Sequence, residues 1–151
     1  MGYIDPKDRL TYPIPISNTA KAEFKEEIKM KFIRTSEVKK EKHVAPLFTS
    51  TDLTRQNIPI DSKELRAGIV NFGKGTRNKF HAHSVDQLLI VTAGTGYVVT
   101  DKEKKLVTTG DMICIPAGEK HWHGATEDSE FSHIVITMAA PGGHKTEQFE
   151  K

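Results

Sequence analysis

From about residue 46 onward, short β-prone runs alternate with Gly, Pro, Asn and Asp turn signals at roughly ten-residue spacing. Candidate strands occupy 67–72, 79–83, 87–92, 96–101, 104–108, 111–115, 120–125 and 131–138, with one or two more in 46–60. No long helical period follows residue 45, so the helices of a βαβ fold are missing. Many short strands with tight turns predict an all-β domain, a small antiparallel barrel or double-sheet jelly roll. Gly94 and Gly96 bracket Thr95 and read as a hairpin turn between two of these strands. Cys114, inside the apolar run MICI, reads as core.

Residues 1–45 have a different texture. They hold 10 Lys/Arg against 7 Asp/Glu, and LTYPIPI at 10–16 is extended coil. Residues 19–33 fit one amphipathic helix with Phe24, Ile28 and Phe32 on a face, or equally a solvated, partly disordered tail. Met30 also fits a translation start, which would make what precedes it an extension. The expected organisation is an N-terminal extension over 1–45, a β domain over 46–140 and a tail over 141–151.

Composition narrows the function classes. With 22 Lys/Arg and 20 Asp/Glu, the net charge of +2 is too even for a nucleic-acid footprint. No apolar run approaches the ~20 residues of a membrane span, and MGYIDPKDRL does not read as a signal peptide. The single cysteine fits a reducing, cytoplasmic compartment. Histidine is more informative, since five of the seven fall between 81 and 133.

In a strand, residues i and i+2 share a face, so His81 and His83 aim two imidazoles at one point. His121 and His123 repeat the arrangement about forty residues later. Gln87 follows His83 after a short bend.

Two spaced motifs run through these residues. The first is Gly75, five residues, His81-x-His83, three residues, Gln87, six residues, Gly94. The second is Gly110, five residues, Pro116-x-Gly118, two residues, His121. Both resemble the motifs of the cupin superfamily, over about residues 45–140. The resemblance implies a cupin double-stranded β-helix, with His81, His83, Gln87 and His121 as ligands of one divalent transition metal. Gln87 stands where most cupins have Glu, and Ala125 where the second motif often has Asn. Three imidazoles and an amide oxygen suit Mn, Fe, Ni, Co or Zn. A neutral Gln leaves the ion its full charge, favouring Lewis-acid chemistry.

More narrowly, HAHSVDQLLIVTAGTGYV, PAGEKHWHGAT and SHIVIT resemble a small Gln-containing cupin subgroup. It includes cupins associated with carboxymuconolactone decarboxylases and manganese-dependent hydroxynitrile lyases. The resemblance implies a role for His123 in proton transfer; the alternative is a hydrogen bond that orients a ligand. Alternation places His123 beside His121 but about 7 Å along the chain, in reach of a substrate rather than the ion. His133 and Thr137 are candidate pocket residues, and Trp122 points away from His121. The function expected is a metal-dependent lyase or isomerase acting on a small molecule. The alternatives are a non-haem Fe(II) dioxygenase and a non-enzymatic metal- or ligand-binding accessory protein. A homodimer is expected, with 46–57 pairing to a partner's sheet.

Overall fold

The structure is a computed structural model that describes residues 30–150. The helix expected over 19–33 lies outside the described residues up to 29, and residues 30–33 have no regular structure. Among the described residues a single 3₁₀ turn, Thr35–Glu37, precedes the strands. These are β1 (Glu41–Lys42), β2 (Leu53–Ile58), β3 (Leu65–Phe72), β4 (His81–His83), β5 (Gln87–Thr100), β6 (Lys104–Thr108), β7 (Met112–Ile115), β8 (His121–Ala125), β9 (Phe131–Met138) and β10 (Thr146–Gln148). Among the described residues no helix is long and apolar enough to cross a membrane.

All pairings are antiparallel. One sheet runs β1-β2-β3-β9-β5-β7 through the first half of β5, and the other runs β6-β5-β8-β4-β10 through its second half. The long strand β5 thus stitches the two sheets into the curled half-barrel of a double-stranded β-helix. Residues 87–92 and 96–101, which read as two strands with a hairpin between them, are largely one strand. A bulge between Val91 and Ala93 and a positive φ of 71° at Gly94 bend it instead. A Cβ on Gly94 would overlap the Glu130 carbonyl, and one on Gly96 would meet the Phe131 ring at 2.7 Å. The glycines therefore let β5 cross between sheets at close quarters.

Strand alternation sorts the residues into a concave face and an outer face. Leu53, Val70, Phe72, Leu89, Val91, Phe131 and Val135 pack between the sheets as one core. In β7 the same alternation buries Ile115 and turns Cys114 outward, where it is exposed, so Cys114 is not a core residue. Residues 53–57, the strand part of the 46–57 segment expected to pair with a partner, bond to β3 of their own chain. On the outer face Gln56 donates to the carbonyls of Thr35 and Val38, each at 2.8 Å, and pins the leading segment there.

The inward register decides which side chains meet. Across the first sheet Arg55, Val70, His133 and Val91 stand opposite one another, and so do Arg66, Thr137 and Gln87. These rows line the open, concave side of the half-barrel.

Candidate metal centre

The antiparallel pair β4·β8 sets His81 directly opposite His121. The i, i+2 spacing then brings His83 and His123 to the same face. The His81 ring lies 4.4 Å from His121 and 4.7 Å from His83 between centroids, and His83 lies 5.7 Å from His121. Gln87 opens β5 at the same cavity, which also contains His123, His133 and Thr137 on its walls and measures about 690 Å³. That size falls in the usual range for small-molecule sites.

Two of the rings are locked by their own strands. The His81 Nδ1–H donates to the Lys79 carbonyl at 2.8 Å, and the His121 Nδ1–H donates to the Glu119 carbonyl at 2.7 Å. A carbonyl only accepts, so each neutral ring must carry its proton on Nδ1 and keep a lone pair on Nε2. His83 is held differently. Its Nδ1 sits 2.8 Å from His144 Nε2 and 3.0 Å from Thr146 Oγ1, both from the C-terminal segment that β10 lays along β4.

The electrostatics favour neutral rings. Burial lowers the pKa of His81 to about 4; for His83 burial and the neighbouring histidines lower it to about 3. Burial also lowers His121. At neutral pH these imidazoles are unprotonated, the form a metal ion requires.

The donor set fits a divalent ion. Gln87 Oε1 and His121 Nε2 are buried without a hydrogen-bond partner. Each such atom costs about 1–3 kcal/mol unless something accepts its lone pair. Nitrogen donors with one amide oxygen suit a borderline transition ion.

His123 also comes close. One ligand atom from each of His81, His121 and His123 falls within a 4.8 Å group. Its ring stacks on His121 at 5.8 Å and 13°. Both of its nitrogens are nevertheless engaged. Asn78 Oδ1 accepts the His123 backbone N–H at 2.8 Å, which fixes the amide so that Nδ2 faces His123 Nε2 at 3.3 Å and donates to it. The proton is then on Nδ1, which donates to His133 Nε2 at 3.3 Å. Asn78, His123 and His133 form a buried chain beside the three rings.

Sequence reasoning missed Asn78, His144 and Thr146. His144 alone carried a signal: it follows the glycine pair Gly142-Gly143, both at positive φ. Trp122 faces away from His121, as alternation requires, and the Arg77 guanidinium covers its ring at 4.8 Å.

His133 yields a pH prediction. It is fully buried, and burial lowers its pKa to about 4 from an ordinary 6.5. Between those values the unfolded chain binds the proton and the folded chain does not. Stability is therefore complete above about pH 6.5 and falls as pH drops toward 4. Urea titration of metal-free protein at pH 7 and pH 4.5 should show a loss on the order of 2–3 kcal/mol from this group. His133→Gln should shrink that loss. An unchanged difference in the variant would show that His133 is not its source.

Comparison with known proteins agrees with this fold. The cupin domain family matches residues 68–137. The chain belongs to the cupin superfamily. It is 33% identical over 79 residues to the pectin degradation protein KdgF of Dickeya dadantii, covering 52% of this chain and 70% of that one. It is 36% identical over 74 residues to an (R)-mandelonitrile lyase of Granulicella tundricola, covering 48% of this chain; it spans only 56% of that lyase. A cupin-like protein of Thermotoga maritima superposes with a TM-score of 0.66 at 28% identity, over 83% of this chain and 90% of its own.

Proposed function

We propose that this cupin is a metal-dependent enzyme that performs lyase- or isomerase-type chemistry on a small molecule. His81, His83 and His121, through Nε2, and Gln87, through Oε1, would hold the ion. The observation that carries the reading is that Gln87 Oε1 and His121 Nε2, two of the three buried side-chain atoms without a hydrogen-bond partner among the described residues, belong to this cluster; the third is His133 Nδ1. A relative named as a lyase supports the reaction class.

A divalent ion in this neutral donor set supplies Lewis-acid polarisation of a substrate oxygen or nitrile. The chain supplies the proton chemistry. His123 Nε2 is the basic atom and exchanges its Asn78 hydrogen bond for a substrate proton. His133 holds the other side of the ring through Nδ1–H and keeps its orientation during the transfer. Buried and beside other histidines, His123 has a pKa well below the ordinary value, so it is neutral at pH 7, the form from which a base starts.

Elemental analysis of protein from its native host, paired with an oxygen-uptake assay, tests the proposal. Manganese or zinc without oxygen consumption supports it. Iron with oxygen consumption coupled to turnover would replace it by dioxygenation.

The C-terminal segment adds a prediction about His83. Its partners, His144 and Thr146, come from the distant segment 144–146 rather than from its own strand. His144→Ala should weaken metal affinity about tenfold, as loss of a ligand-orienting partner does. Competition against a chelator of known affinity reads the change. Unaltered affinity in His144→Ala/Thr146→Ala would show that His83 needs no such support.

A further inference from the structure

The cavity contains a cation that the proposed chemistry does not use. Arg55 stands on β2 in the inward row with Val70 and His133, so strand alternation turns its side chain to the concave face. It lines the same cavity as His81, His83 and Gln87. Its guanidinium lies over Gly68 of β3: a Cβ built there would be 3.6 Å from Nε and 3.7 Å from Nη2. His43, His133 and His144 line the same cavity.

Among the described residues no carboxylate pairs with Arg55. The other cavity arginine is anchored to its own loop, where Arg66 Nη1 donates to the Ser62 and Leu65 carbonyls at 2.7 and 2.8 Å. Among the described residues Asp61 is the single acidic residue on the cavity wall. The site is therefore electropositive, with one free guanidinium fork at its open edge and apolar walls such as Val70, Val135 and Ile58.

We propose that the cavity selects small molecules bearing a single carboxylate, gripped by the Arg55 guanidinium while the rest of the ligand reaches toward the histidine end. A guanidinium presents two parallel N–H groups that match one carboxylate. This inference deepens the proposed function and rests on it only for what happens at the histidine end.

The test is isothermal titration of the metal-loaded full chain with phenylacetate and with its neutral isostere phenylacetamide. Phenylacetate should bind about tenfold more tightly. Arg55→Gln should bring the two probes within about twofold of each other, and Arg55→Lys should retain part of the preference. The same titrations are repeated on chelator-stripped protein, with metal content measured on every sample. No preference in the unaltered chain, or a preference undiminished in Arg55→Gln, overturns the inference. A preference that disappears with the metal but not with Arg55 also overturns it, because the ion would then hold the carboxylate. A chain that binds no metal yet keeps an Arg55-dependent preference refutes the metal reading and leaves this inference standing.

Discussion

His121→Ala should lose its divalent ion, with affinity falling on the order of a hundredfold or more. The ring is 1% exposed, its Nδ1–H is spent on the Glu119 carbonyl, and its Nε2 lone pair has no protein partner. Removing it deletes a donor that is already oriented, so no other group needs to move for the loss to appear. The effect should exceed the tenfold expected of His144→Ala, since losing a ligand costs more than loosening one. His81→Ala should behave alike, because its Nδ1 is locked in the same way by Lys79. Chelator competition with manganese and zinc measures both variants, with circular dichroism as the check on folding. Affinity within a few-fold of the unaltered chain would show that the buried lone pairs do not face an ion.

His123→Ala should instead keep the ion and lose turnover by about 10² to 10⁴, the usual contribution of a positioned acid or base. Nδ1–H is spent on His133, and the one lone pair, on Nε2, already accepts from Asn78, so an ion would have to displace that hydrogen bond while His83 and Gln87 offer donors of their own. The alanine variant leaves Asn78 Nδ2 and His133 Nε2 buried without partners, which costs stability as well. His123→Gln separates the two effects. Its amide can satisfy the neighbours but cannot titrate near neutral pH. Activity and metal content are read on the same preparations, once a substrate has been found by screening. Full activity in His123→Gln would reduce His123 to a structural bridge. Loss of metal together with activity would make it a ligand.

Much of the fold was legible because two kinds of pattern agreed. The strand rhythm after residue 46 and the two spaced motifs both pointed to a cupin, and β3, β4 and β6 to β9 fall close to the runs that announced them. The paired histidines were legible for a simple reason: i, i+2 spacing on a strand fixes a shared face whatever the tertiary context. The failures came where the deciding contact is remote. Gly94 looks like a turn from its neighbours alone, yet the approach of Glu130 makes it a bend inside β5. MICI is apolar throughout, so composition could not say that Ile115 faces in and Cys114 out. Asn78 reaches His123 from 45 residues away, and His144 reaches His83 from 61. No local period encodes such partners. Arg55 is exposed and charged, and it reads as an ordinary surface residue until the register sets it in a row with His133.

The central claim is that one ion sits on His81, His83, Gln87 and His121, with His123 beside it. The most direct measurement is anomalous diffraction at the manganese and zinc edges from crystals of the metal-loaded protein. The account predicts one peak bonded to the three Nε2 atoms and to Gln87 Oε1 at about 2.0–2.3 Å, with His123 still bridging Asn78 and His133. A peak that His123 ligates in place of Gln87, or crystals grown with excess metal that show no peak at this cluster, would contradict it.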